Sequence, residues 1–202
     1  MLKKQTPLRA FTIAELVLVV AVIGVLFGIG TRTYRNERDR FVFNDSLSRI
    51  LNLIKTARDY AITSRSAETP TGLVIPREGY GVHINRTSGQ FTLFANLGPD
   101  VNRFEGDAAD PIEETYTLPS VTVLHSFLKD NKDTPLDTGE ALILFRPPFA
   151  ETFISNNGAA EVEANLMDTL YLRLVNQGAP EGAPASFIFI NRVSGFPELE
   201  LP

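Results

Sequence analysis

The chain has 202 residues, 44% of them hydrophobic, enough for one domain with a sizeable core and not the composition of a disordered tail. It contains no cysteine and only two histidines, His83 and His125, which excludes disulfide scaffolds, thiol nucleophiles, iron–sulfur clusters, cysteine-ligated zinc and any site of three histidines. The 19 basic and 24 acidic residues give a net charge of −5. Because Lys3, Lys4 and Arg9 open the chain with no acid among them, the remainder is more acidic still, which argues against nucleic acid as a partner.

In chain order the first feature is the apolar run FTIAELVLVVAVIGVLFGIG, residues 11–30, whose one charge is Glu15. As a helix it would be roughly 30 Å long, the thickness of a bilayer's hydrocarbon, so a membrane-spanning helix is expected. A secretory signal peptide is the competing reading, since Gly28-Ile29-Gly30 offers a small-x-small pattern. The run is longer than a usual signal core, however, and a carboxylate interrupts it. Such a group costs about 2.5–3.5 kcal/mol at a bilayer centre, so Glu15 asks for a partner unless it lies shallow or takes up a proton.

The residues Arg9-Ala10-Phe11-Thr12-Ile13-Ala14-Glu15-Leu16-Val17, with Ile23-Gly24-Val25-Leu26 beyond them, resemble the class III signal of type IV pilins and type II secretion pseudopilins. That signal joins a short basic leader, a small residue before the cut, Phe after it and Glu at the fifth mature position. The resemblance implies an α+β fold in which a long N-terminal membrane-spanning helix packs on a C-terminal antiparallel β head. It implies a leader over 1–10, removed between Ala10 and Phe11 by a membrane-embedded prepilin peptidase, N-methylation of Phe11, and Glu15 as the assembly residue. The implied partners are that peptidase, other pilins or pseudopilins in a filament, an inner-membrane assembly platform and membrane lipid. The implied location is a single pass through the inner membrane, N-terminus cytoplasmic and head extracytoplasmic, followed by a pilus or pseudopilus. Two positions depart from the pattern: Ala10 replaces the usual glycine, and Arg32 stands where many pilins carry a kinking proline.

The chemistry of such a cut is coherent. It leaves an ammonium at Phe11 on an apolar helix, and a buried cation needs a counter-charge. Glu15 lies about 6 Å away along the axis, one turn on. Lys3, Lys4 and Arg9 favour a cytoplasmic N-terminus, while Arg32, Arg35, Arg38 and Arg40 follow the span and interleave with Glu37 and Asp39 as locally paired helix surface, with a lipid-headgroup or protomer–protomer contact as the alternative.

No proline or glycine occurs between Gly30 and Pro70. Tyr34, Phe41, Leu47, Ile50, Leu51, Ile54, Ala57, Ala61 and Ile62 fall at three- and four-residue steps, so one helix is expected from about Thr12 to Arg65, amphipathic over 31–66. Its end, Ala57-Arg58 through Ala61-Ile62, resembles that of H-type pseudopilins and FimT-like minor pilins; Arg58 and Arg65 also read as plain solvated residues. From 67 to 202 short β-branched and aromatic runs alternate with turns. Strands are expected at Leu73–Ile75, Tyr80–Ile84, Gln90–Ala95, Val121–Phe127, Ala141–Phe145, Glu151–Ile154, Thr169–Val175 and Ser186–Asn191, with Leu199 and Leu201 closing an edge. The phrases Ile84-Asn85-Arg86-Thr87-Ser88-Gly89 and Ile190-Asn191-Arg192-Val193-Ser194-Gly195 read as reused turn chemistry.

In the loop 98–110, Asp100, Asn102, Glu105, Asp107 and Asp110 supply the hard oxygens that calcium takes. The spacing is not D-x-[DN]-x-[DN]-G and Arg103 sits in its middle, so a solvated acidic loop stands beside calcium as a reading. No other cofactor is expected. No G-x-S-x-G, phosphate loop or H-E-x-x-H occurs, so the head is not expected to be an enzyme. The expected function is a minor structural subunit of a type IV pilus or type II secretion pseudopilus. The alternative is a membrane-tethered extracytoplasmic module binding DNA, a substrate protein or a surface.

Overall fold

The computed structural model describes residues 13–98, 103–106, 110–130, 132, 135–136, 138–155, 167–177 and 185–201; side chains at 29–30 and 32–33 lie outside that description. Helix α1 occupies Ile13–Ile62. The strands are β1 (Ala67–Thr69), β2 (Gly72–Val74), β3 (Tyr80–Asn85), β4 (Gln90–Ala95), β5 (Ile112–Thr117), β6 (Thr122–Lys129), β7 (Pro135–Leu136), β8 (Glu140–Arg146), β9 (Glu151–Ser155), β10 (Thr169–Asn176), β11 (Ser186–Asn191) and β12 (Pro197–Glu200). The chain divides after Arg38 into two compact units.

In the second unit β1 and β2 form a hairpin, and two five-stranded sheets run in the orders β5-β4-β3-β8-β9 and β12-β11-β10-β6-β7. Their pairings are antiparallel throughout, as short strands joined by turns allow. Alternation sends Tyr80, Val82 and Ile84 of β3, Leu93 of β4 and Ile143 of β8 to one core, together with Leu170, Leu172, Ile188 and Ile190 of the other sheet. Leu47, Ile50, Leu53, Ile54, Ala57 and Ala61 of α1 join the same cluster. Ser46 ties that helix segment to β6: its Oγ donates to Val42 O at 2.8 Å and accepts from Thr122 Oγ1 at 3.3 Å.

The end of α1 is a Schellman motif. Arg65 N donates to Tyr60 O at 3.0 Å and Ser64 N to Ala61 O at 3.2 Å, with Ser64 in the left-handed region at φ 49°. Arg65 then lies 3.9 Å over the Tyr60 ring, and Tyr60 meets Tyr80 edge-on at 5.3 Å. Tyr80 Oη donates to Arg65 O at 3.0 Å. Burial, reinforced by the nearby Glu113 charge, pushes the Tyr80 phenol up to about 12.

The expected α+β architecture, with a membrane-spanning helix on an antiparallel head, is corrected. The described structure is predominantly β, and no helix among the described residues is long and apolar enough to cross a membrane. Within the described part of that run, Ile13–Gly28, the apolar sequence is interrupted by the carboxylate of Glu15. The transmembrane character falls on that finding, and with it the expected single pass through the inner membrane with a cytoplasmic N-terminus and an extracytoplasmic head.

Two outcomes follow from the helix end. Ser64→Gly relieves a left-handed non-glycine residue and raises the urea midpoint, by about 0.5–1 kcal/mol of stability after the added chain entropy. Tyr80 keeps its proton in the folded state after the unfolded chain has lost it. Stability therefore falls as pH rises from about 10 to about 12, and Tyr80→Phe flattens that part of a urea-midpoint series.

Candidate functional site

Along α1 the side chains from Ile13 to Phe27 form a continuous apolar surface. Exposure runs from 48% at Val19 to 83% at Ile13, with Leu16, Val17, Leu18, Val20, Ile23, Val25 and Leu26 between. Adjacent apolar positions such as Leu16 to Val20 point in every direction around a helix of 3.6 residues per turn. Helices of that composition are normally buried on all sides, and apolar surface of this extent marks an interaction site. Glu15 is exposed in the first turn, where a carboxylate complements the positive end of the helix dipole. Ala10 and Phe11, the expected cleavage and methylation positions, lie outside the described residues.

Compared with known protein families, characterised proteins and solved structures, the chain matches none. Its chemistry is carried by the residues themselves.

Of the five residues expected to hold calcium, Asp100, Asn102 and Asp107 lie outside the described residues, and Glu105 is exposed. Asp110 is fully buried and closes the loop. Its Oδ1 accepts from Leu97 N and Gly98 N, both at 3.0 Å, and its Oδ2 from Glu105 N at 2.8 Å. The oxygens of Asp110 thus answer three backbone donors in part-buried hydrogen bonds. Among the described residues no group of three or more His, Asp or Glu is placed to hold a metal ion.

A second polar cluster crosses the first sheet. His83 on β3 is buried, with Nε2 3.2 Å from Glu140 Oε2 on β8, while Asn85 Nδ2 donates to Glu140 Oε1 at 3.0 Å. His83 and Asn85 share a face at two-residue spacing, and Glu140 stands directly opposite Asn85. The imidazole stacks on Phe104 at 4.8 Å, and Phe104 meets Phe94 at 4.8 Å. The arrangement orients a carboxylate with two donors and anchors the segment 103–106 over the sheet. His125 is exposed on β6, its Nδ1 3.5 Å from Ser126 Oγ.

Arg65 pairs with Glu113 at 3.5 Å, while Arg58 lies with its guanidinium carbon 3.9 Å over the Phe196 ring. Neither the His83–Glu140 pair, 57 residues apart, nor the Arg58–Phe196 contact has a local sequence signature. The alternation of His83 and Asn85 was the one available hint of a polar pair on one face.

Asp110→Asn turns an amide N–H₂ toward backbone donors. It is expected to cost about 1–3 kcal/mol in urea denaturation and to speed hydrogen exchange at Leu97, Gly98 and Glu105, whereas Glu105→Gln leaves both unchanged.

Proposed function

We propose that the chain is a minor subunit of a filament of the type IV pilus or type II secretion pseudopilus class, assembled through the N-terminal part of α1. The observation that carries this reading is the apolar surface of Ile13–Phe27, exposed on all sides. Removing such surface from water is worth roughly 25 cal/mol per Å², so a partner that covers it is strongly favoured. Equivalent helices of neighbouring subunits are that partner: they offer the same apolar side chains and repeat indefinitely when the contact is head-to-tail.

Glu15 adds specificity to the contact. Among tightly associated apolar helices an ionised carboxylate is stabilised by a counter-charge. The amine that a cut between Ala10 and Phe11 creates is such a charge, about one helical turn from Glu15 within a subunit and within reach of a neighbour's carboxylate after an axial stagger. The likeness of Arg9–Val17 to the class III signal supports the same reading and names its partners: a prepilin peptidase, other pilins or pseudopilins, and an assembly platform. Methylation of the Phe11 amine keeps its charge.

Two measurements test the proposal. Glu15→Val is expected to leave the circular dichroism of the β unit unchanged while reducing recovery in sheared or cross-linked filaments at least about tenfold, the loss for one charge-assisted pair; wild-type assembly by this variant removes the pairing argument. Mass spectrometry of the mature chain is expected to show methyl-Phe11, and a start at Met1 or Thr31 contradicts the processing route.

A further inference from the structure

We infer that the pocket between the turn preceding β9 and the turn joining β11 to β12 recognises a carboxylate carried on an apolar peptide segment. This inference does not rest on the filament reading. The pocket has a volume of about 390 Å³ and brings together Arg58 from α1, Phe149 from the turn before β9, and Arg192, Val193 and Ser194 from the second turn.

Arg58 is the central group. Its Nε is shut off from solvent and has no hydrogen-bond partner among the described residues, and the side chain lines the pocket. The plane of the guanidinium is fixed by stacking on Phe196 at 3.9 Å. The close approach depends on Gly195, at φ +63°, where an added Cβ would lie 2.4 Å from Thr152 Oγ1 and 3.6 Å from Arg58 Nε. A planar, oriented, half-buried guanidinium whose Nε lacks an acceptor is matched by a bidentate oxyanion. Arg192 stands at the same pocket, held only loosely by Asp168 at 3.7 Å. The Ser194 oxygen accepts from Phe196 N at 3.3 Å, which leaves its proton to donate.

The rim sets the ligand class. Phe149 is 88% exposed and Val193 94%, apolar tips that a ligand's flanking side chains would cover. Glu151 lines the pocket and Asp168 pairs with Arg192, so two cations face two acids. That balance suits one carboxylate with apolar neighbours and disfavours a dianion or polyanion.

The test follows the Gly195 amide and the Arg58 Nε–H by NMR in the full-length protein. The probes are acetyl-Leu-Glu-Leu-amide, its Gln counterpart and inorganic phosphate. A saturable shift is expected with the Glu peptide, at least about tenfold weaker with the Gln peptide and in Arg58→Lys, which keeps the charge without the fork. Arg192→Gln, on an exposed turn that leaves the core untouched, is expected to weaken binding severalfold with an unchanged melting temperature. Equal response to both peptides, saturation by phosphate and not by the Glu peptide, or no saturable shift with either peptide overturns the inference.

Discussion

The β unit depends on a single shared core into which α1 contributes one face. Leu47, Ile50, Ile54, Ala57 and Ala61 belong to the same buried cluster as Val82, Ile84 and Ile143 of one sheet and Leu170, Leu172 and Ile188 of the other. Neither sheet could hide its apolar face from water alone, since a sheet presents one such face and needs a second layer. The helix segment is tied to each sheet by a polar contact as well as by apolar ones. Ser46 accepts from Thr122 on β6, and Tyr80 on β3 bonds the backbone at Arg65 just past the helix end. Direction and register of the helix against the strands are therefore set at both ends of the shared segment.

Beyond that segment the helix obeys a different rule. From Leu47 to Ala61 the apolar residues recur at three- and four-residue steps, which fits one partner surface. From Ile13 to Phe27 they occupy nearly every position and are exposed. A helix apolar on all sides asks for partners on all sides, and a bundle of like helices meets that demand as well as lipid would. The carboxylate at Glu15 suits a packed bundle with a charged partner better than hydrocarbon.

The polar residues of the β unit are used in two contrasting ways. Asp110 and the Glu140 carboxylate are surrounded by donors from their own chain, three backbone N–H groups in one case and His83 with Asn85 in the other. Both hold loops or strands in place. Arg58 is different, because stacking on Phe196 fixes it while its Nε has no hydrogen-bond partner within the described chain. Groups whose demands are met internally are structural, and a fixed cation with unmet donors is where a ligand gains most.

Residues 90–95 and 186–191 were legible as strands from the sequence, since β-branched and aromatic runs between turn residues leave little alternative. The two Asn-initiated turns were legible too. Asn85 Oδ1 accepts from Ser88 N and Asn191 Oδ1 from Val193 N, while Gly89 and Gly195 take φ near +64° and +63°, so the same local chemistry recurs in both. Strand β5, Ile-Glu-Glu-Thr-Tyr-Thr, was not legible, because an edge strand with acids on it lacks apolar alternation and forms by pairing with β4. The strand order, the joining of His83 to Glu140 and the bonding of Asp110 to three backbone N–H groups were tertiary decisions. Each requires chain segments distant in sequence to meet. Local periodicity therefore determined where the elements lie and that residues 11–30 are apolar with one acid; only the folded chain decided which strands are neighbours, which carboxylates are already satisfied, and which guanidinium is held open.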